Sequence, residues 1–397
     1  TMKVLLTTDW YTPAVNGVVT SVLALRRQLQ RQGHEVRVLT LAAGLHSHQG
    51  DGVWALGSVD AGLIYPGARL RTPDAAAALQ ALIAWGPDVV HSQCEFSTFA
   101  LARRIARAAG APLVHTYHTV YEDYTHYFSP SRRWGRALVR GFTRHIAARC
   151  DTIVAPTAKV ARLLEGYGVA CPVCTLPTGI DTARFAAADP ARAAALRARL
   201  GLPADRPVLL FLGRLAREKN LDELLDLMGR LTADGTPATL LVVGDGPDRP
   251  RVQALAAGLP VVFAGMADPA DVPLYYAAAD LFLSASTSET QGLTYLEALA
   301  AGLPAVCRAD PCLDGVVENG RNGWQYRTPA ELETAVRALL ADPAARRAMG
   351  QRAAAGADAF SEEAFGRGAE ALYRRLIEQT HDRAACPAER RDPLWIL

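Results

Sequence analysis

The sequence has no apolar run that approaches the ~18–20 residues of a membrane-spanning helix. Its first residues, Thr1 to Leu6, lack a signal-peptide pattern and lead directly into a predicted strand. Seven cysteines are present, and an odd number without a secretory signal favours reduced thiols in a cytoplasm. Cys171 and Cys174 have the spacing of a redox motif, but no helix follows to activate a thiolate. A redox or metal role for them is therefore disfavoured.

Lysine is scarce, because Lys3, Lys159 and Lys219 are the only three lysines among 42 basic residues. The net charge is only +2, but it is uneven. Residues 1–178 carry 18 basic against 11 acidic residues, or +7, and the remainder carries 24 against 29, or −5. Halves of opposite charge indicate different partners. A nucleic-acid partner is not expected, because the chain lacks the strongly basic net charge and the sequence motifs of nucleic-acid-binding proteins.

The length of 397 residues, with 50% apolar and 21% charged residues, indicates a soluble protein with two cores. In the first half the pattern predicts strands and helices in alternation. The strands are at Lys3–Thr7, 36–41, 88–91 and 113–117, and the helices at 21–31, 75–84 and 99–109. A second series of predicted strands comprises Val208–Leu212, Thr239–Val243, 260–263, 280–283 and 305–306.

This alternation predicts an α/β protein with two tandem Rossmann-like, doubly wound lobes that face a cleft. We expect the lobes to span residues 1–178 and 179–361, with a hinge in 176–185. Ligands of such sheets bind beyond the carboxyl ends of the strands, so the active site is expected in the cleft.

Residues 284–306 carry the strongest ligand signal. The segment follows an apolar strand and ends in Gly302-Leu303-Pro304, a helix C-terminus, so a helix is predicted to begin near Gly292. The unpaired amides at that helix start could bind an anion. Glu289 precedes the helix and Glu297 lies within it. Together these features suit a nucleotide sugar, although an ordinary strand–loop–helix unit with two solvated glutamates is the alternative.

Three other segments offer ligand contacts. Gly17 lies at a predicted helix start, where its backbone could approach phosphate or form a structural turn. Arg214 and Lys219 follow a strand and could neutralise a diphosphate. Residues 113–128 are rich in His and Tyr, and His118 is a candidate sugar contact. Metal ligation by the His, Glu and Asp residues of this segment is the alternative. The glycine turn at 243–248 lacks the third glycine of a dinucleotide fingerprint, which disfavours a dehydrogenase.

Residues 131–149 predict a basic amphipathic helix. Arg132, Arg136, Arg140 and Arg144 recur every four residues, and Trp134, Leu138, Phe142 and Ile146 recur with the same step. Such a helix could lie on an anionic membrane. Alternatively, it could bury its apolar stripe against its own core and solvate its arginines.

With these motifs assembled, residues 2–376 resemble the retaining glycosyltransferases with two Rossmann-like lobes, the glycogen-synthase-like and glycosyltransferase-4-like group of GT-B fold. The most specific matches are Gly213-Arg214 with Glu218-Lys219, and residues 287–293 with Glu297. Within the family, the segments around residues 9–17, 116–124 and 287–292 look most like bacterial diacylglycerol glucosyltransferases. Thr178 departs from the asparagine that is commoner in the family.

The resemblance implies roles for these residues. Gly17 would offer its amide to the donor diphosphate, and His118 would contact the donor sugar. Arg214 and Lys219, beside Gly213, would stabilise the leaving diphosphate. Glu289 would bind sugar hydroxyls beside the amides of Gly292 and Leu293, and Glu297 would hold the ribose. The implied acceptor and membrane contacts are Tyr121, Arg132, Arg133, Trp134, Arg136 and Arg140. The C-terminal helix, within 362–397, would complete the first lobe.

The implied reaction transfers a hexose, glucose, from UDP-glucose to a lipid hydroxyl, that of 1,2-diacylglycerol, with retention of configuration. No Asp-x-Asp motif is present, so no metal or other cofactor is expected. The implied location is the cytoplasmic face of a bacterial membrane, as a peripheral protein. Three alternatives remain open: a soluble sugar or sugar-phosphate acceptor, a nucleotide-sugar epimerase of the same fold, and a non-catalytic nucleotide-sugar-binding protein.

Overall fold

The computed structural model describes residues 1–14, 16–61, 69–73, 75–119 and 132–385. They form two compact units. The first lobe comprises the described residues of Thr1–Gly179 and Phe365–Leu397, and the second lobe is Ile180–Ala364. None of the helices in this part of the chain is long and apolar enough to cross a membrane.

The first lobe is built on a sheet of eight strands. Its strands and a separate two-stranded hairpin are β1 (Lys3–Thr7), β2 (Glu35–Leu41), β3 (His48–Gly50), β4 (Val53–Leu56), β5 (Ser58–Asp60), β6 (Arg69–Arg71), β7 (Val89–Ser92), β8 (Leu113–Thr116), β9 (Thr152–Ala155) and β10 (Val173–Thr175). The sheet order is β10-β9-β8-β7-β1-β2-β4-β3, in which only β3 runs antiparallel, while β5 and β6 form the hairpin. Helices α1 (Gly17–Arg31), α2 (Ala76–Trp85), α3 (Ser97–Ala109), α4 (Arg132–Ala147) and α5 (Ala158–Tyr167) connect the strands.

The second lobe has a parallel sheet of six strands. These are β11 (Val208–Leu212), β12 (Thr239–Val243), β13 (Val261–Gly265), β14 (Leu281–Ser284), β15 (Ala305–Arg308) and β16 (Gly323–Tyr326), in the order β13-β12-β11-β14-β15-β16. Its helices are α6 (Thr182–Ala186), α7 (Pro190–Arg199), α8 (Leu221–Ala233), α9 (Arg249–Leu255), α10 (Val272–Ala277), α11 (Leu293–Ala300), α12 (Pro329–Ala341) and α13 (Pro343–Gly356). The fold class predicted from the sequence, two Rossmann-like α/β lobes, is confirmed.

The last helix, α14 (Glu362–Ala385), supplies apolar side chains to the core of the first lobe. Phe365, Leu372 and Leu376 pack there with residues of the central strands, which are fully buried. The hydroxyl of Tyr373 lies 2.6 Å from Nδ1 of His91 on β7, and both side chains are buried. Because Leu372 and Tyr373 belong to this core, the chain from Phe365 is part of the first lobe and not an appendage.

Each sheet has a topological switch point, at which the order of successive strands reverses across the sheet. In the first sheet β1 lies between β2 and β7, and in the second β11 lies between β12 and β14. The loops that follow these central strands are where ligands of doubly wound sheets bind. In the first lobe they are the loops after β1 and β7, and in the second those after β11 and β14.

Candidate functional site

In the second lobe the loops after β11 and β14 bring two predicted site residues together. Lys219 Nζ donates to Glu289 Oε1 at 2.6 Å, and the two side chains are 21% and 14% exposed. The loops are joined a second time, because the amide of Thr287 donates to the carbonyl of Glu218 at 2.9 Å. A shielded ammonium–carboxylate pair can bind both a phosphate oxygen and a sugar hydroxyl.

Gly292 sets the start of the helix that follows Glu289. It has φ +74°, a conformation that side chains rarely adopt, and a Cβ there would lie 2.4 Å from the ring of Tyr295. Tyr295 is buried, and its hydroxyl forms a hydrogen bond of 2.8 Å with the hydroxyl of Ser284 at the end of β14. Helix α11 therefore begins at Leu293, next to the predicted start at Gly292, so its first unpaired amides follow Glu289 by four residues.

The loop after β11 is held by backbone contacts to the glycine turn after β12. The amide of Gly213 donates to the Val243 carbonyl at 3.0 Å, and a Cβ at Gly244 would lie 2.0 Å from the Gly213 carbonyl oxygen. The glycine turn therefore permits close backbone packing beside Arg214, whose side chain is exposed. This gives a structural reason for a turn that does not match the dinucleotide fingerprint.

Glu297 is the second carboxylate predicted at this edge. It accepts a hydrogen bond of 2.7 Å from the hydroxyl of Tyr276, a buried residue of α10. Burial raises the pKa of Glu297 to about 7, although the Tyr276 hydrogen bond opposes the shift. A carboxylate held at one oxygen by a buried hydroxyl is pre-oriented to accept vicinal hydroxyls at its other lone pairs. Sequence reasoning missed Tyr276, because its contact with Glu297 joins two helices.

In the first lobe, Gly17 is the first residue of α1 and is exposed. The Asn16 side chain caps this helix by accepting a 3.0 Å hydrogen bond from the amide of Val19. Helix α1 thus begins four residues before the predicted start at Ser21. The placement of Gly17 at a helix start agrees with the sequence, and its contact with a diphosphate stays a prediction.

His118 follows β8 and is held by a residue that the sequence did not single out. Its Nε2 lies 2.7 Å from Oε1 of the buried Gln93, which follows β7. With Nε2 donating to that oxygen, Nδ1 is left as an acceptor. Burial lowers the pKa of His118 to about 4, so the imidazole is neutral at neutral pH. Beside it, His115 Nε2 lies 3.2 Å from Oε1 of the buried Glu95.

Asp9, two residues after the end of β1, completes this buried polar cluster. Its carboxylate accepts hydrogen bonds from the amides of Ser97 at 3.1 Å and Thr98 at 2.8 Å, at the start of α3. Burial raises the pKa of Asp9 to about 6. Gln93, Glu95 and Asp9 could have been found from the sequence, since each lies within four residues of the carboxyl end of a predicted strand, at the ligand edge.

Helix α4 corrects one of the predictions. Trp134 is 74% and Leu138 60% exposed, so the alternative in which the predicted apolar stripe packs on the core is wrong for these residues. Only Ile146 of that stripe is buried, and the core face consists of Gly135, Val139, Thr143, Ile146 and Ala147. The predicted stripe mixes two faces because a step of four residues advances about 40° per step on an α-helix.

The arginines of α4 differ in their environment. Arg133, Arg136 and Arg144 are exposed. Arg140 is also exposed, but it donates to the Gly166 carbonyl at 2.5 Å and so supports the end of α5. Helix α4 begins at Arg132, while Tyr121 lies outside the described residues.

The redox and metal alternatives receive no support from the described residues. Cys171 and Cys174 are free, and burial raises the pKa of each thiol, which disfavours a reactive thiolate. No group of three His, Cys, Asp or Glu side chains in the described ranges could hold a metal ion. Glu122, Asp123 and His126, from the alternative metal site, lie outside these ranges.

Comparison with known families covers most of the chain. Residues 15–184 match the model of Glycosyltransferase Family 4, and residues 193–355 match that of Glycosyl transferases group 1. The two matches correspond to the two Rossmann-like lobes and contain the candidate residues of both sheet edges apart from Asp9.

Curated relatives and solved structures agree with these matches. The chain is 34% identical over 350 residues to the alpha-monoglucosyldiacylglycerol synthase of Streptococcus pneumoniae, covering 86% of this chain and 79% of that protein. It is 30% identical over 398 residues to the protein of the same name from Acholeplasma laidlawii, covering 96% and 98%.

A sucrose-phosphate synthase from Thermosynechococcus elongatus has the same GT-B fold. Its TM-score is 0.74 at 22% identity, over 96% of this chain and all of that one. The family matches and the two curated relatives identify an enzyme rather than a non-catalytic binding protein. The chain therefore belongs to the glycosyltransferases, with a family 4 first lobe and a group 1 second lobe.

Proposed function

We propose that this glycosyltransferase moves glucose from UDP-glucose to the hydroxyl of 1,2-diacylglycerol, with retention of configuration and without a metal ion. The observation that carries the acceptor assignment is the exposure of Trp134 and Leu138 on a helix rich in arginine. The two relatives at 34% and 30% identity are both named as synthases of a monoglucosyl diacylglycerol, which supports the same acceptor and donor sugar.

The charge of the leaving diphosphate is met by the second lobe. Lys219, the exposed Arg214 and the first amides of α11 together supply positive charge without a metal. Glu289, held by Lys219 at 2.6 Å, would accept hydrogen bonds from the sugar hydroxyls. Glu297 would bind the ribose. The contacts of Gly17 and His118 with the donor are the remaining assignments of this proposal.

The bond changes follow from this arrangement. The anomeric carbon–oxygen bond to the diphosphate breaks, and the acceptor oxygen forms its bond on the face that the diphosphate leaves. The acceptor hydroxyl proton passes to a departing phosphate oxygen, so no side chain acts as general base. The neutral His118 and the Lys219–Glu289 pair then orient and stabilise groups; they do not transfer the proton.

Helix α4 would hold the enzyme on the cytoplasmic face of a bacterial membrane. Exposed apolar side chains can enter the lipid interface, and arginines can contact anionic headgroups. On the α4 surface, Trp134 and Leu138 lie across the exposed Ala137 and Gly141 from Arg133 and Arg144, at about 100° per residue. Both kinds of side chain can therefore reach one membrane surface.

The proposed function is tested by incubating the protein with UDP-glucose, UDP-galactose or GDP-mannose, each with diacylglycerol vesicles, in EDTA. Mass spectrometry and proton NMR should identify an α-glucosyl diacylglycerol from UDP-glucose alone. A β-linked product, a requirement for added metal, or transfer to glucose or glucose phosphate in place of the lipid would contradict it.

Two variants test the site assignment in the same assay. Lys219→Met and Glu289→Gln should each lower kcat by about 10²–10³-fold, the usual effect of removing one transition-state contact. Arg230→Met, whose partner Glu333 lies 2.6 Å away on α12, is the matched control and should keep wild-type activity. Unchanged rates for Lys219→Met and Glu289→Gln would remove the assignment.

A further inference from the structure

The first lobe carries an exposed aromatic pair that the site assignment does not use. The rings of Phe96, which precedes α3, and Phe142, on α4, stack with centroids 6.0 Å apart and planes 18° apart. The two side chains are 40% and 37% exposed. Stacked rings that stay in water on a folded lobe leave apolar area available for a partner.

The pair continues into the exposed side of α4. Phe142, Leu138 and Trp134 follow one another at steps of four residues, and all three are exposed. We name Phe96, Phe142, Leu138 and Trp134 the apolar strip. The strip is contiguous, whereas exposed apolar side chains on ordinary surfaces are scattered singly.

One end of the strip meets the buried polar cluster at the ligand edge of the first sheet. Phe96 directly follows Glu95, whose carboxylate lies 3.2 Å from His115. It directly precedes Ser97, whose amide donates to Asp9 at 3.1 Å. The other end of the strip is Trp134, in the first turn of α4. The strip therefore leads from the proposed membrane surface to the carboxyl end of β7.

We propose that Phe96 and Phe142 bind the acyl chains of the lipid acceptor while its hydroxyl is at the ligand edge. This rests on the proposed function and adds a binding site to it. A diacylglycerol hydroxyl must leave the plane of the membrane to reach the sheet edge, and the upper methylenes of its chains leave with it. Each methylene exposed to water would weaken binding about fourfold, so an apolar surface along this route is required.

The charges around the strip fit a lipid. Arg133 and Arg144 are exposed on the same helix, beside Trp134 and Leu138, and match the phosphates of an anionic membrane. The residues of the strip have different roles according to their distance from the polar cluster. Trp134 and Leu138 contact the membrane interface, and Phe96 and Phe142, next to the polar cluster, contact the acceptor itself.

The test measures kcat/KM of the full chain for water-soluble diacylglycerols of increasing acyl length, dibutyroyl, dihexanoyl and dioctanoyl, with saturating UDP-glucose. For the wild type, kcat/KM should rise with acyl length. Phe96→Ala and Phe142→Ala should each lose about tenfold with the dioctanoyl acceptor and less than about twofold with the dibutyroyl acceptor. Phe96→Leu, which keeps most of the apolar area, should restore the dependence on length.

Controls separate this site from folding and from membrane binding. Leu255→Ala removes an apolar side chain of the second lobe that is more exposed than either ring, at 50%, and should behave as the wild type. Flotation with anionic vesicles and the thermal midpoint should be unchanged in Phe142→Ala, which carries the test if Phe96→Ala does not fold.

The outcomes are distinct. Wild-type dependence on acyl length in Phe96→Ala and Phe142→Ala would overturn the acyl-chain site and leave the proposed function intact. A wild-type protein that glucosylates no diacylglycerol would overturn the proposed function, and the acyl-chain site with it.

Discussion

Glu297, the proposed ribose contact, shows how a neighbour adjusts the ionisation of a carboxyl group. Burial raises its pKa to about 7, and the hydrogen bond from Tyr276 at 2.7 Å keeps the pKa from rising further. Ribose hydroxyls donate to a carboxylate more strongly than to a carboxylic acid. Donor binding should therefore favour the ionised form of Glu297.

The affinity for UDP-glucose is predicted to increase as pH rises through about 7. Below this pH Glu297 is protonated, so UDP-glucose binding must also release the proton, and the free energy of that release weakens the affinity. Above this pH the carboxylate is already charged and binding carries no such cost. Titration calorimetry between about pH 6 and 8 measures the effect, since the diphosphate of a UDP-sugar does not titrate in this range.

Two variants check the origin of that pH dependence. Glu297→Gln should bind more weakly, with little change across the range. Tyr276→Phe removes the hydrogen bond that lowers the Glu297 pKa, so its midpoint should move to higher pH. The same midpoint in wild type and Tyr276→Phe would show that another group titrates.

Among the candidate site residues, the sequence predicted those that lie in a recognisable local sequence pattern. Lys219 stood out in an arginine-rich chain, and Glu289 and Glu297 flanked a recognisable helix start. Gln93 and Tyr276 did not stand out, because their importance comes from contacts with His118 and Glu297 that only the fold creates.

Helix α11 depends on the backbone conformation of the residue before it. Gly292→Ala would place a methyl group 2.4 Å from the Tyr295 ring at φ +74°. We expect the second lobe to lose about 1–3 kcal/mol of unfolding free energy, and the affinity for UDP-glucose to fall because the α11 amides move. Urea denaturation and calorimetry measure the two effects.

Gly229→Ala is the matched control in the same lobe. Gly229 lies inside α8, and a Cβ there meets no atom within 4 Å. This variant should be as stable as the wild type or gain about 0.5–1 kcal/mol. Equal losses in Gly229→Ala and Gly292→Ala would show that the contact with Tyr295 is not the cause.

Helix α4 is predicted to determine membrane binding. Trp134→Ser with Leu138→Ser should reduce flotation with anionic vesicles by about tenfold or more, because two exposed apolar side chains are lost from the lipid interface. Arg133→Glu with Arg144→Glu should reduce it most at low salt, because the attraction to headgroups is screened.

Val139→Ala changes the buried face of α4 instead and serves as the comparison. It should lower thermal stability without changing flotation of the folded protein. Wild-type flotation by both exposed-face variants would contradict the membrane assignment. The sequence predicted the helix and its character but not which apolar residues face the core, because small residues such as Gly135 and Ala147 pack there.

At the scale of the whole molecule, continuous apolar runs predicted the central strands well. β1, β11 and β12 have the predicted bounds, since they are buried on both faces of a parallel sheet. The sequence did not predict the strands β3 to β6, β9 and β16. β16 is an edge strand with the sequence Gly-Trp-Gln-Tyr, and partial burial leaves too weak an apolar pattern to recognise.

Helix α14 is predicted to determine the stability of the first lobe. Tyr373→Phe leaves Nδ1 of the buried His91 without the partner that now lies at 2.6 Å. The unfolding free energy of the first lobe should fall by about 1–3 kcal/mol. The fluorescence of the buried Trp54 and Trp85 reports unfolding of this lobe in urea.

Arg374→Ala is the control on the same helix. Its guanidinium pairs with Glu370 one turn away at 2.6 Å and is half exposed, so less than about 0.5 kcal/mol should be lost. Equal effects of Arg374→Ala and Tyr373→Phe would show that the contact with His91 contributes little.

The contribution of α14 to the first lobe also orders events during synthesis. The core that contains Met2 and Val4 includes Leu372 and Leu376, so it is complete only after these two residues have left the ribosome. The second lobe is continuous in sequence from Ile180 to Ala364 and can close its core earlier. The nascent chain can thus complete the proposed nucleotide-binding lobe before the lobe that carries the apolar strip, so the proposed lipid-binding surface is finished second.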